Sequence, residues 1–506
     1  MKKQTIALLV IAGIILMVVL MVSLGQNWND IWQVLRSILR YSFAIYIVGL
    51  AFLIFIDHHP PQVTIAWLMV FLVSSYIGFI AYILFGRNLL KRRNARKKKQ
   101  ATGQSVAAFH HGCDESLLDL ETDQDILKVK RLLMKSSRSC IYRDNQVDIF
   151  SDGTDKFERL FDDLTKASQH IHIEYFIIKD DYVGGLLKQI LVQKAKAGVE
   201  VRLIYDAVGS WRLSKSYVRE LVDAGAKVEA FYPVVLPVLS RELNYRNHRK
   251  IVVIDGQIGY VGGVNVGDEY IGLDKKFGYW RDSHLRYTGS GVQALQKIFL
   301  NDWYYLTDNL LLDSKYFPEP IETANEEMQL VESGPDDNWE AIKQAFFTII
   351  TGATKSLWIT TPYLVPDESI LMSLRNAALS GVDVRIILPQ KADHFLVFWA
   401  TKDNLETLLR DGVRIYLYGK GFIHSKTILA DHKVASIGTA NLDNRSMGIN
   451  YEVNAFLYSE PSIKRLESDF LQDLRHSHEL NLSQYEERPV WNKFLESVGR
   501  LFSPLQ

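Results

Sequence analysis

Two stretches of this chain carry the same polar residues at the same spacing, each inside otherwise apolar sequence. NHRKIVVID (247–255) holds His248, Lys250 and Asp255, and IHSKTILAD (423–431) holds His424, Lys426 and Asp431. Alternate residues of a strand share a face, so the His and Lys of each stretch point the same way. The Asp lies seven residues past the His, in the turn beyond the strand, where a structural job is expected although it belongs to the same catalytic motif. Two imidazoles and two ammonium groups gathered in one cleft suit a phosphodiester. Cationic donors hold the non-bridging oxygens as the trigonal-bipyramidal state forms. A neutral imidazole attacks phosphorus, and a protonated one supplies the departing alkoxide with its proton.

The surroundings repeat as well. Gly262, Gly263 and Asn265 follow the first motif, and Gly438, Thr439 and Asn441 follow the second. Asn265 and Asn441 are read as further phosphate-binding donors. Each histidine needs a carboxylate behind its other ring nitrogen to fix the tautomer. YWRDSHLRY offers Asp282 and NYEVNAFLY offers Glu452, in equivalent places on a following strand. No compact carboxylate cluster stands out, so neither a metal nor another cofactor is expected. A single His-x-Lys motif would be read as a histidine packed in a core strand. Two copies inside a repeat would not.

The elements that position these residues are also duplicated. IHIEYFII (171–178), a helical stretch and VEVRLIYD (199–206) in the first half match SLWITTPYLV (356–365), a helical stretch and VDVRIILP (382–389) in the second. Apolar runs of strand length alternating with helices indicate an α/β sheet with covering helices. The expected fold class is α/β: two tandem units, 142–312 and 325–485, packed as a pseudo-dimer around one active site. A C-terminal amphipathic helix over 486–506 follows.

An N-terminal transmembrane helical region (1–90) is expected before them. Val63–Phe85 and Ile6–Leu24 are apolar enough to span a hydrocarbon core, which needs about 20 helical residues, and Tyr41–Ile56 is a shorter third candidate. The count is left at two or three spans. Residues 87–99 then hold eight Lys or Arg and no acid, opening a basic juxtamembrane segment and linker (91–141). Positive charge marks the cytoplasmic side, which places the catalytic units there, and Arg87–Lys99 could also hold anionic headgroups. Cys113 and Cys140 are too few for a disulfide framework and suit a reducing compartment. The chain of 506 residues has a formal net charge of zero, and with the membrane segment this argues against a nucleic-acid partner.

The paired His-x-Lys-x4-Asp motifs with Gly-Gly/Thr-x-Asn downstream resemble the phospholipase D superfamily. The N-terminal anchor with RNHRKIVVIDGQIGYVGG, YWRDSH, TPYLVPD, GTANLDNRS and YEVNAF is similar to the bacterial cardiolipin synthases, from about residue 60 to the C-terminal LFSPLQ. Thr361 and Leu364 depart from the family's frequent Ser and Phe. The resemblance implies transfer of a phosphatidyl group from one phosphatidylglycerol to another in a bacterial cell membrane, with release of glycerol. It makes His248 the nucleophile and His424 the acid and base, an order that the symmetric spacing cannot decide. Hydrolysis by water, or another acceptor alcohol, would use the same site.

Other features carry two readings. FYPVVLPVLS (231–240) either admits acyl chains or is a buried loop. Trp491, Phe494, Leu495, Val498, Leu501 and Phe502 form a helical stripe with Lys493 and Arg500 off it; such a helix lies in a membrane interface or packs on the domain. HFLVFWATK (394–402) raises the same choice. Glu174, on a strand with His170 and His172, is a metal ligand, a substrate contact or a buried partner.

Overall fold

The computed structural model describes residues 113–501 except 234–244, 322–323, 337–338 and 392, and before them scattered positions around one helix, Pro61–Val73. The chain divides into two compact units, Met1–Asn88 and Leu89–Gln506. Among the described residues no helix is long and apolar enough to cross a membrane. Ile6–Leu24, most of Tyr41–Ile56, the later part of Val63–Phe85, and Arg87–Lys99 lie outside the described residues. Within the N-terminal unit, Tyr82 packs against Trp67 and Phe71, while Phe52, Ile65 and Met69 are more than half exposed.

The second unit contains both repeats. The first supplies β1 (Tyr142–Asp152), β2 (His170–Tyr175), β3 (Glu200–Asp206), β4 (Lys227–Phe231), β5 (Ile251–Ile254), β6 (Ile258–Gly262) and β7 (Tyr279–Thr288). The second begins with β8 (Glu326–Ser333), β9 (Ser356–Thr360), β10 (Leu364–Val365), β11 (Asp383–Pro389) and β12 (Arg414–Tyr418). It continues with β13 (Gly421–Ile423), β14 (Thr427–Ala430), β15 (Val434–Gly438), β16 (Leu442–Asp443), β17 (Glu452–Leu457) and β18 (Ser477–Glu479).

One sheet runs through both repeats. Its centre is the antiparallel pair β1 and β8, with Tyr142 opposite Met328. Outward from β1 come β7, β6, β5, β2, β3 and β4; outward from β8 come β17, β15, β14, β9, β11, β12 and the edge strand β18. The two arms have the same connectivity, and β2–β3–β4 and β9–β11–β12 are the parallel part of each. Strands buried on both faces read as continuous apolar runs, as Ile251–Ile254 and Ile386–Leu388 do. The helices that cover the sheet start at capped first turns: Asp152, Asp181, Ser214 and Asp367 each accept a hydrogen bond from an amide of the following turn. A core shared by both repeats, including Leu285, Tyr287, Met328 and Val453, lies across the central pair.

Two expectations change, and the C-terminal helix keeps features of both of its readings. The segment assigned to a linker contains the helix Gln124–Ser136, whose Val129 and Leu133 join the core of the second repeat. Lys130 anchors it through Glu121 at 2.6 Å and Glu327 at 3.0 Å. Cys113 and Cys140 are joined in a disulfide, with their Cα atoms 5.0 Å apart. The fold between them brings the cysteines together, which their separation in sequence did not reveal. The C-terminal helix, Val490–Leu501, packs against the helix Phe395–Arg410, yet it turns part of its apolar stripe outward. Trp491 is 65% exposed and Phe494 54%, whereas Glu496 is buried.

Candidate active site

Each motif histidine stands where a short segment enters the sheet, and its backbone is tied to the other repeat. The amide of His248 donates to the Tyr451 carbonyl at 2.9 Å, and the amide of His424 donates to the Arg281 carbonyl at 2.7 Å. Tyr451 and Arg281 immediately precede the two carboxylates. Nδ1 of His248 therefore meets Glu452 at 2.9 Å, and Nδ1 of His424 meets Asp282 at 2.7 Å. The pairing is crossed: each histidine is oriented by a carboxylate from the other repeat. With Nδ1 so occupied, Nε2 of both rings is the atom left for chemistry.

The carboxylates are themselves fixed. Glu452 accepts from the Thr439 hydroxyl at 2.5 Å and from Nδ2 of Asn450 at 3.3 Å. Asp282 accepts from the Ser283 amide at 2.8 Å and lies against Gly263, where a Cβ would stand 2.0 Å from its Oδ1. This explains the difference between the repeats. Thr439 donates to the carboxylate of one pair, and the equivalent Gly263 makes room for that of the other. Ser283 and Ser425 close the seam with a 2.6 Å hydrogen bond between their hydroxyls.

Lys250 donates to the carbonyl of His248 at 2.6 Å, and Lys426 donates to that of His424. Each ammonium keeps protons for a phosphate oxygen. Burial lowers Lys250 to about 7 and Lys426 to about 8, although Glu452 and Asp282 pull upward. Burial likewise lowers His248 to about 4, with Glu452 opposing, and lowers His424, with Lys426 adding to the effect. Burial would raise the Asp282 carboxyl, but Lys426 and His424 hold it at about 2. Burial thus favours neutral imidazoles. A phosphodiester anion placed between these groups reverses the penalty and stabilises every cation facing it.

Asp255 and Asp431, grouped with the catalytic residues by their motif, do not reach the cleft. At about 3.3 Å per residue they stand about 20 Å along the chain from their histidines. Asp255 accepts from the amides of Ser168, Gln169 and His170 at 2.7–2.9 Å, and Asp431 accepts from those of Thr354, Lys355 and Ser356 at 2.7–2.8 Å. Both have left-handed backbone, with φ of 53° and 52°. They pin the turn after the motif strand to the start of β2 or β9. Their carboxylates are saturated by backbone donors, which is the structural job expected of them.

Asn265 accepts from the Ile177 amide at 3.1 Å and donates to the Tyr270 hydroxyl at 3.1 Å, so one amide proton remains for a ligand. Asn441 is buried beside Asp443. Glu174 is a buried partner: Asn247, the neighbour of His248, donates to it. The rings of His170 and His172 lie tilted against one another, His172 stacks on Phe299, and His172 bonds Gln296 and Arg202. Among the described residues no group of three or more His, Cys, Asp or Glu is placed to hold a metal ion. Sequence reasoning missed Asp206, which accepts from the Asn247 amide at 3.0 Å and from Arg246 at 3.3 Å. It also missed the Ser283–Ser425 bridge. Neither residue type nor local spacing marks these contacts, because they form between segments distant in sequence.

The family model described as cardiolipin synthase, PLD-like domain, matches residues 160–303 and 346–474, each segment containing one histidine, one lysine and one carboxylate of the cleft. A cardiolipin synthase of Geobacillus sp. (strain WCH70) is 45% identical over 94% of this chain and 96% of its own length. The chain belongs to the cardiolipin synthase family. The major cardiolipin synthase of Bacillus subtilis (strain 168) is 43% identical over 93% of this chain and 99% of its own. A phospholipase D-nuclease N-terminal model matches residues 44–87. Among solved structures, a phosphatidylserine synthase of Haemophilus influenzae Rd KW20 superposes with a TM-score of 0.59, covering 75% of this chain and all of that one. At 15% identity it speaks for the shared fold alone.

Proposed function

We propose that this member of the cardiolipin synthase family transfers a phosphatidyl group from one phosphatidylglycerol to the glycerol hydroxyl of another. The observation that carries the reading is the crossed pair of buried histidines, each held at Nδ1 by a carboxylate and flanked by a lysine. In the first step Nε2 of neutral His248 attacks phosphorus, forming a P–N bond as the P–O bond to the glycerol headgroup breaks. His424, protonated once the substrate's negative charge is in place, gives its Nε2 proton to the leaving oxygen, and glycerol departs. Neutral His424 then takes the proton of an acceptor hydroxyl. The acceptor oxygen attacks the phosphohistidine, the P–N bond breaks, and cardiolipin leaves with both histidines restored. Lys250 and Lys426 hold the non-bridging oxygens throughout, with the remaining amide protons of Asn265 and Asn441 as further donors.

A lipid substrate accords with the N-terminal unit, whose outward Phe52, Ile65 and Met69 suit contact with lipid. Under the same proposal the chain is a multi-pass bacterial membrane protein with its catalytic unit on the cytoplasmic side, held by the basic run at 87–99.

The deciding experiment uses the purified full chain with labelled phosphatidylglycerol as sole substrate, beside His248→Ala and His424→Ala. Cardiolipin and glycerol are expected from the wild type and from neither variant. A phosphohistidine trapped by an alkaline denaturing quench is expected on His248. Phosphatidic acid as the main product would make water the acceptor and reject the synthase reading.

A further inference from the structure

The helix Val490–Leu501 is packed with its polarity reversed. On its inner side Glu496 is 2% exposed and is held by the Arg488 guanidinium at 2.7–3.0 Å. Gly499 sits against the backbone of the helix Phe395–Arg410, where a Cβ would lie 2.5 Å from the Ala400 nitrogen. On its outer side Val490, Trp491, Phe494 and Leu501 are each more than half exposed, and Trp491 stacks on Phe494 at 5.2 Å. The first turn of the facing helix adds Phe395, 63% exposed, and Leu396, 42% exposed. Placing an ion pair inward and aromatic rings outward is unfavourable in water. It is the arrangement expected where a third phase covers the rings.

The occupant follows from chemistry and position. Lys493 and Arg500 lie exposed along one edge of the outer aromatics, Arg500 3.8 Å from Asp403. Aromatic residues interleaved with cations settle at the level of lipid headgroups, the rings among acyl carbons and the cations at the phosphates. The face also adjoins the reaction cleft. Asp393, two residues before Phe395, bonds the Tyr363 hydroxyl and acts electrostatically on Lys426. Between Tyr363 and the two helices opens a pocket of about 240 Å³, lined by Pro389, Phe398, Leu405, Tyr485 and Arg488 among others. A diacyl substrate must present its phosphate to His248 while its chains stay in the bilayer, so the mouth of the cleft must meet the membrane surface.

We propose that the Phe395–Arg410 and Val490–Leu501 helices form the face by which the catalytic unit rests on an anionic phospholipid bilayer, beside the mouth through which lipid reaches the histidines. This deepens the reading of a phosphatidylglycerol substrate and rests on it.

The test replaces Phe494 by the photo-crosslinker p-benzoylphenylalanine in the full chain, reconstituted in vesicles of equal phosphatidylglycerol and phosphatidylethanolamine. The same replacement at Leu379, exposed at the opposite ends of the parallel strands, is the control. Irradiation is expected to add a phospholipid mass at position 494 and none at 379. In detergent micelles of graded phosphatidylglycerol content, Trp491→Gln/Phe494→Gln is expected to raise the half-saturating mole fraction about tenfold, an affinity loss of ~1.4 kcal/mol, with kcat unchanged. Crosslinks from 494 to a second copy or to the chain itself would overturn the proposal. So would unlabelled 494 with an unchanged half-saturating fraction. Crosslinking needs no turnover, so a chain that labels lipid yet makes no cardiolipin would reject the synthase reading and leave the docking face standing.

Discussion

The Glu452 carboxylate of the second repeat holds Nδ1 of His248 of the first at 2.9 Å, and the reciprocal pair, Asp282 with His424, closes at 2.7 Å. Neither repeat therefore contains a complete histidine–carboxylate pair. Glu452→Gln and Asp282→Asn keep the shape of each side chain while removing the charge that fixes the tautomer. Each is expected to lower kcat on the order of 10³-fold with an unchanged melting profile. Near-normal turnover in either variant would show that the crossed contacts do not orient the rings.

The lysines set the alkaline limit. Lys250 is lowered to about 7 and Lys426 to about 8, chiefly by burial. Above those values the free enzyme loses the charges that grip the phosphate, so kcat/KM should fall from about pH 7 upward. Bound phosphodiester raises both groups, so the alkaline limb of kcat should lie at higher pH than that of kcat/KM. Substrate binding near pH 8 should take up protons, read by comparing binding enthalpies in buffers of different ionisation enthalpy. A kcat limb at or below that of kcat/KM would contradict this assignment.

Asp255→Asn and Asp431→Asn should separate stability from catalysis. Each replaces a carboxylate accepting several backbone amides, a loss of about 1–3 kcal/mol. The expected result is a lower melting temperature in detergent with kcat per folded molecule within about twofold of wild type. Both carboxyls lie below their usual value, where the amide bonds outweigh burial's upward push. Their stabilisation is thus present above the unfolded value of about 3.9 and lost as pH falls through the lower folded value. A large drop in kcat without loss of stability would return these residues to the chemistry.

The Cys113–Cys140 disulfide tests sidedness. Disulfides persist in oxidising compartments, whereas the proposed topology, read from the basic run at 87–99, puts this unit inside the cell. Alkylation of thiols in intact cells before lysis is expected to find both cysteines reduced and modified, with the bond forming only in purified, oxidised protein. Recovery of an intact disulfide after such trapping would place the catalytic unit on the outer side.

Much of the architecture was legible because duplication writes the same signal twice. The runs at 171–178 and 356–365 and the two motifs place equivalent strands in both arms, and β2, β5, β9 and β14 form on them. The helix Gln124–Ser136 was missed as an element because a charged stretch between a basic run and the first strand looks like a tether. Its apolar face, Val129 and Leu133, makes sense only against a partner some 200 residues away. The C-terminal stripe correctly indicated a helix, but periodicity does not say which side faces protein. Gly499 and Glu496 decide that by close packing and by the Arg488 pair.

The candidate residues for the chemistry come from the sequence alone: two His-x-Lys pairs, the carboxylates proposed to serve them and the asparagines after the bends are recognisable from type and spacing. Which carboxylate serves which histidine was decided only by the tertiary structure. Spacing along a strand specifies a face, but a contact between two repeats depends on the pairing of β1 with β8, which brings segments near residues 248 and 452 to the same seam. That pairing is fixed by burial of a shared core, a property of the folded pair and not of either motif.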